Sequence, residues 1–223
     1  MFAIIKKELK GYFCTTSGYV FIGLFLLILS VFFFTTIFRY GSADYSYLFY
    51  NGSTILTFLA PILTMRMFAE ERKLGTYQLL ITSPRSSVSI VLGKFVSALI
   101  VVLVAELSTC MYYFILKYFG SPNLILSLNS LFGFFLLSMA YISLGMFISG
   151  LTENQIIAAV ATVATFLVMW FVPTTNQIFS LVSKSYEFIE GTIDISAVAT
   201  FLSFTILFVV LTIIVIQRRK TVK

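Results

Sequence analysis

The chain has 223 residues, of which 59% are hydrophobic and 11% charged, with a mean hydropathy of +1.01 and a formal net charge of +6. A soluble domain averages about 25% charged residues, and one small globule cannot hide this much apolar surface, so the solvent for most of it is lipid. The sequence contains no histidine, which excludes His-based zinc motifs, Ser-His-Asp triads and imidazole proton relays.

A helix needs roughly 20 mostly apolar residues to cross a hydrocarbon core of about 30 Å. Taken in chain order, residues 1–14 come first. Phe2, Ile5, Leu9 and Tyr12/Phe13 recur at helical steps, with Lys6, Lys7 and Lys10 on the other face. This pattern predicts a short amphipathic helix lying in the membrane interface. The first span covers about 18–38; it is of full spanning length and has no small-residue cleavage site, so it does not read as a signal peptide. A short outer loop, "RYGSADYSY", leads to a second span over about 45–65, bounded by Asp44 and Arg66 and bent by Pro61. The third span, about 95–116, holds a single acid, Glu106. The turn "KYFGSPN" leads to a fourth span over about 124–150. In the turn "GLTENQ", Thr152 suits the N-cap of the next helix and Glu153 its positive N-terminal end. The fifth span covers about 156–176 and contains Pro173. Between about 177 and 198, Phe179, Val182, Tyr186 and Ile189 fall at helical steps, predicting short helices that dip into the outer leaflet without crossing it. The sixth span, about 195–217, is closed by Arg218, Arg219 and Lys220.

Strands of a membrane barrel would be about half as long and would alternate. The fold class is therefore all-α: a polytopic membrane protein with six transmembrane helices, formed as a single domain over residues 1–223. With both termini on one side, that side collects twelve of the fifteen Lys and Arg residues. Arg39, Lys117 and Lys184 fall on the other, beside Asp44, Glu187, Glu190 and Asp194. Basic residues favour the cytoplasm, so both termini are expected inside. The same rule accounts for the net charge without a nucleic-acid partner. Cys14 and Cys110 fall at different depths, and no metal-ligand spacing is present.

Two places concentrate polar chemistry. Glu106, near the middle of a span, is costly if ionised, on the order of 3 kcal/mol on insertion scales. It is either a substrate or proton site, or a carboxyl hydrogen-bonded to neighbouring Ser, Thr or Tyr groups. The second place is "MFAEERKLGTYQLLITSPRSSVSIVLGK", residues 67–94, where Glu70, Glu71 and Arg72 stand in a row. Met67, Leu74, Tyr77 and Ile81 share one helical face, Ser83-Pro84 stops the helix, and Ser86 or Ser87 can cap the next. A plain connector could be about four residues long; this one takes about twenty. Its charges are mixed in sign, which suits a protein partner rather than a lipid surface. No G-x-x-x-x-G-K-[ST] loop exists: Gly93-Lys94 lacks the upstream glycine and is followed by Phe95.

The stretch "APILTMRMFAEERKLGTYQLLITSP…LGK" resembles the signature region of ABC-2-type transporter permeases, whose pattern E-E-R-x-x-G-T-x-x-L-L-x-[ST]-P follows the second span. "LGMFISGLTENQIIAAV" is similar to the end of the fourth span and the start of the fifth in that family. "F…EGTIDIS" resembles members linked to gliding motility and copper-enzyme maturation. The resemblance implies a transmembrane permease subunit of a bacterial ABC transporter in the cytoplasmic membrane, expected to be an exporter. It implies two permease chains, identical or homologous, around a substrate path. It implies a separate cytoplasmic ATPase subunit that binds ATP and Mg, so that this chain has no cofactor and is not itself an enzyme. The segment between the second and third spans becomes the coupling helix, with Glu70, Glu71 and Arg72 at its membrane-facing start and Gly75, Thr76 and Leu79 in its body. The segment before the last span becomes a re-entrant element. Glu153 is a secondary candidate for partner contact. The rival reading is an ion-coupled secondary transporter that uses Glu106. The aromatic, uncharged spans suggest a lipid-like, amphiphilic or peptidic substrate rather than a small ion.

Overall fold

The computed structural model describes residues 1–40, 45–76, 86–120, 122–171, 181–192 and 194–221. Among these there are ten helices and no strand. We number them α1 (Phe2–Cys14), α2 (Thr16–Tyr40), α3 (Ser46–Thr64), α4 (Ala69–Lys73), α5 (Ser87–Ser108), α6 (Cys110–Phe119), α7 (Leu124–Leu151), α8 (Gln155–Phe171), α9 (Leu181–Ile189) and α10 (Ile195–Thr221). Five stretches are long and apolar enough to cross a membrane: Thr16–Thr35, Ser46–Lys73, Ser87–Tyr118, Leu124–Leu151 and Ile195–Lys220. Gln155–Trp170, in the expected fifth span, is apolar but shorter. Pro173, Phe179 and the rest of 172–180 lie outside the described residues, as do Asp44 and 77–85.

The stretch apolar enough to cross a membrane here runs Ser87–Tyr118, longer than the expected 95–116. Helix α5 starts at Ser87, in line with the expected cap at Ser86 or Ser87, and the Ser86 hydroxyl caps it by accepting from the Ser89 N–H at 3.3 Å. Lys94 thus lies inside the helix. At Thr109 the chain kinks into α6, and the Thr109 hydroxyl donates to the Glu106 carbonyl at 2.6 Å.

Helices α3 and α7 form the centre of the bundle. Helix α7 packs against α3, α5, α8, α9 and α10, and α3 packs against α2, α8 and α9. Helices α2 and α10 lie outermost and expose Leu27, Phe34, Ile206 and Leu207. Such a surface is tolerable in lipid and an aggregation liability in water. In lipid, helices gain little by hiding apolar side chains from one another, so close van der Waals approach decides packing. Small residues supply that approach. A Cβ added at Gly145 of α7 would sit 2.4 Å from Thr64 Oγ1 of α3, and one at Gly133 would sit 2.5 Å from Phe188 Cβ of α9. Between these contacts aromatic rings interlock: Phe134 lies 5.7 Å from Phe25 and 5.3 Å from Phe49, and Tyr141 stacks on Phe166 at 4.1 Å. Buried hydroxyls such as Thr57, Ser138 and Thr162 donate to carbonyls of their own helix, so they enter the core without an unmet hydrogen bond.

The described part of the segment before the last span is one short helix, α9. Its Phe188 is fully buried against Gly133, Tyr186 stacks on Tyr50 at 4.6 Å, and Lys184 Nζ donates to Thr200 Oγ1 at 2.8 Å. The helix closes at Gly191, whose φ of +88° favours glycine, and the Asn129 amide donates to the Gly191 carbonyl at 3.2 Å. Asp194 then caps α10; the Ser196 hydroxyl and N–H donating to its carboxylate hold it below the usual range.

Replacing Gly133 with Ala forces Phe188 out of its seat. We expect a loss of about 1–3 kcal/mol, read as a lowered midpoint of thermal unfolding in detergent. Gly23→Ala, where an added Cβ meets nothing within 4 Å, is expected to leave the midpoint unchanged or to raise it slightly.

Candidate functional site

Helix α1 packs against α5 and α2. Ile4, Leu9, Tyr12 and Phe13 pack against the bundle, whereas Phe2 at its start is exposed. Gly93 permits the close approach to α5, because a Cβ there would lie 2.8 Å from Ile4 Cγ2. The next residue, Lys94, is 2% exposed. Its Nζ lies 3.0 Å from Glu8 Oε1 of α1 and 3.0 Å from Glu71 Oε1 of α4, and 5.4 Å from the centre of the Phe68 ring. A buried ammonium persists only with paired, well-placed counter-charge, and the ring face adds a smaller attraction. Lys7 reaches Glu71 at 4.0 Å from an exposed position, where screening leaves such a contact little weight. Glu71 Oε2 is buried and has no hydrogen-bond partner among the described residues.

The two neighbours of Glu71 are held as well. Arg66 donates from Nε and Nη2 to the two oxygens of Glu70 at 2.7 and 2.8 Å, a bidentate pair one helical turn apart. Arg72 crosses to the end of α7, donating to the Thr152 carbonyl at 3.1 Å and to the Gly150 carbonyl. The start of α4 is capped by another helix. The Phe68 and Ala69 N–H groups both donate to Ser149 Oγ at 3.2 Å, and the Ser149 hydroxyl donates to the Met65 carbonyl at 3.2 Å. A five-residue helix is too short to stand alone in solution; α4 stands because Ser149, Lys94 and the α7 carbonyls hold it. Beside it, an open cleft of about 220 Å³ is lined by Glu8, Tyr12, Thr15, Ser17, Arg66 and Glu70. Burial, with the nearby Glu8 charge adding to it, pushes the Tyr12 phenol up. The neutral hydroxyl donates to the Leu63 carbonyl at 3.5 Å.

Beyond Lys73 the chain turns. Gly75 has φ +73°, and its N–H donates to the Arg72 carbonyl at 3.0 Å. This left-handed position ends the helix, so the single helix expected from Met67 to Ser83 is broken at Gly75. Leu74 is 67% exposed, and Gly75 and Thr76 are exposed beside it. Leu79, Tyr77, Gln78 and Ile81 lie outside the described residues.

The site residues named from sequence thus fall into three groups. Glu70, Glu71 and Arg72 gather in one cluster and engage the rest of the protein; Gly75 and Thr76 face outward next to them. Glu153 is exposed in the α7–α8 turn at the same end, which the Arg72 contact with Thr152 brings close. That turn departs from expectation: the Thr152 hydroxyl donates back to the Ile148 carbonyl at 3.2 Å, and Asn154 caps α8 by accepting from the Ile156 N–H at 2.9 Å. Thr152 closes the preceding helix, so Asn154 is the first side chain positioned to cap the next. Glu106 stands apart. It is buried on α5, about 18 Å along the helix from Lys94, near the Tyr45–Thr109 hydroxyl pair at 2.9 Å. Glu8, Lys94 and Ser149 were not anticipated as site residues. A signal for Lys94 exists: it is one cation inside the apolar run that starts at Val88.

The family model described as ABC-2 family transporter protein matches residues 49–220. The chain belongs to this family. It is a multi-pass membrane protein and the permease component of an ABC transporter, a part distinct from the ATPase. No curated protein matches it. The family match begins within α3, so it includes α4 and Lys94 and leaves out α1 with Glu8.

Ser149→Ala removes the oxygen that serves two buried N–H groups. We expect a loss of about 1–3 kcal/mol, seen as a lower unfolding midpoint. In hydrogen exchange, the amides of Phe68 and Ala69 should lose protection before those of α7.

Proposed function

We propose that this permease pairs with a second permease chain, identical or homologous, to enclose a path across a bacterial cytoplasmic membrane, and that a separate cytoplasmic ABC-type ATPase drives export along it. Each chain contributes six spans. Both termini lie in the cytoplasm, on the side that carries α1, α4 and the 151–155 turn. ATP and Mg belong to the ATPase.

One observation carries the reading. Helix α4 is braced against two other helices through side chains and a borrowed cap, and the chain immediately after it presents Leu74, Gly75 and Thr76 outward. A braced base with an exposed apolar tip can receive a push from a water-soluble partner and pass it inward. Glu70, Glu71 and Arg72 then act in coupling by holding the base, while Leu74, Gly75, Thr76 and the following residues through Leu79 form the face that meets the ATPase. Glu153 in the neighbouring turn lies at the rim of that face. Closure of two ATPase subunits on ATP drives the two tips together, the spans tilt, and the path opens outward. The substrate is a lipid-like, amphiphilic or peptidic molecule from the cytoplasm or the inner leaflet.

Leu74→Asp tests this reading. An affinity-tagged wild-type chain purified from its native membrane is expected to retain an ATPase subunit carrying a G-x-x-x-x-G-K-[ST] loop. The variant is expected to retain it at least about tenfold less well, the loss that about 1.4 kcal/mol at one apolar anchor represents. Its unfolding midpoint should not change, because Leu74 is exposed. Equal retention by both chains, or no such ATPase with either, overturns the reading.

A further inference from the structure

We propose that Lys94 is a positioning residue for coupling: with Glu8 and Glu71 it ties α1, α4 and α5 into one body, so that a displacement received after α4 reaches the third span and the interfacial helix together. This rests on the reading of α4 as the base of the coupling element.

The two sides of α4 are held by different chemistry. Toward α7 the links are hydrogen bonds: the Ser149 cap and the Arg72 contacts with the Gly150 and Thr152 carbonyls. Toward α5 and α1 the polar link among the described residues is the ion cluster, with Lys94 Nζ 3.0 Å from an oxygen of each carboxylate. Lys94 is nearly inaccessible, so its ammonium cannot exchange a lost carboxylate for water. If α4 moved away from α5 alone, Lys94 would keep only Glu8, and Glu71, which already has one buried oxygen without a hydrogen bond, would lose its principal counter-charge. Joint motion of the three elements keeps every pair intact. The close seat of Ile4 on Gly93 brings α1 near enough for Glu8 to share the same ammonium. Arg66 pairs with Glu70 on the neighbouring face and Lys7 reaches Glu71 only at 4.0 Å, so neither replaces Lys94 at the centre of the cluster.

Distances between spin labels on the purified chain in lipid nanodiscs test this without any ATPase. One pair uses the natural Cys14 at the end of α1 with Thr76→Cys after α4. The other uses Thr76→Cys with Glu153→Cys at the α7–α8 turn and Cys14→Ser. Cys110→Ser is present in both. Lys94→Met alone strands two buried carboxylates and risks misfolding, so the decisive variant is the neutral triple Lys94→Met, Glu8→Gln, Glu71→Gln. The expected result is a shifted and widened Cys14–Thr76 distribution with an unchanged Thr76–Glu153 distribution, because the α4–α7 hydrogen bonds remain. Lys94→Glu with Glu8→Lys and Glu71→Lys reverses every sign, keeps the central charge between two of opposite sign, and is expected to narrow the first distribution again. The proposal is overturned if the neutral triple keeps the wild-type Cys14–Thr76 distribution. It is also overturned if both distances widen alike, or if the charge-reversed triple stays as wide as the neutral one. Loss of ATPase retention in Leu74→Asp bears on the coupling reading alone, so either idea can fail without the other.

Discussion

An ammonium group buried between two carboxylates organises one end of this protein. Lys94 sits within a run otherwise fit for a membrane span, and its charge is tolerable there only because Glu8 and Glu71 reach it from two different helices. That requirement propagates. Glu8 arrives only if α1 lies close against α5, which needs the bare backbone of Gly93. Glu71 arrives only if the chain after α3 passes through the turn at Met65–Phe68 and forms a second helix, which needs the oxygen of Ser149. One costly charge thereby specifies the arrangement of four elements. A hydrophobic side chain at position 94 would pack in several ways; a lysine with two counter-charges has one. Specificity of this kind is a recognised use of buried ionic groups, paid for in desolvation.

The rest of the bundle follows different physics. Apolar side chains face lipid on α2 and α10 at no penalty, so the core is selected by fit rather than by oiliness. Gly145 against Thr64 and Gly133 against Phe188 mark where helices approach most closely. The two contacts lie toward opposite ends of α7, one beside the braced α4 and the other under α9. Helix α7 therefore connects the two ends of the molecule through a single rigid rod of 28 residues, about 42 Å long.

Much of this was legible in the sequence because lipid imposes length. The apolar runs over 18–38, 45–65, 124–150 and 195–217 correspond to long helices, and the basic amphipathic start corresponds to α1. The start of α5 was legible from its Ser86 or Ser87 cap, whereas the burial of Lys94 within that helix was not, because its partners lie 86 residues and 23 residues away in sequence. The cap of α8 was assigned to Thr152 by residue type, but Thr152 is still within reach of the previous helix and bonds backward. The segment after the second span reads as one helix by its apolar spacing, yet Gly75 breaks it, since a glycine after a short helix favours the left-handed turn. The row Glu70, Glu71, Arg72 stood out in the sequence by its charge. Its inward orientation was not legible, because Arg66, Lys94 and the α7 carbonyls meet it through tertiary structure. Ser149 carried no signal at all: one serine among many on α7 becomes a helix cap only by its position.

The borrowed cap sets an order of assembly. Glu8 and Glu71 both precede Lys94 in the chain, so when α5 enters the membrane its counter-charges have already been synthesised. Ser149, Gly150 and Thr152 come some eighty residues after the helix they brace. Until α7 is in place, the N-terminal amides of α4 have no acceptor and Arg72 has no carbonyls to meet. The charge cluster can thus gather early, whereas α4 becomes firm only once the fourth long helix has been inserted, and a chain truncated before that point would carry Glu70, Glu71 and Arg72 on an unbraced strand of peptide.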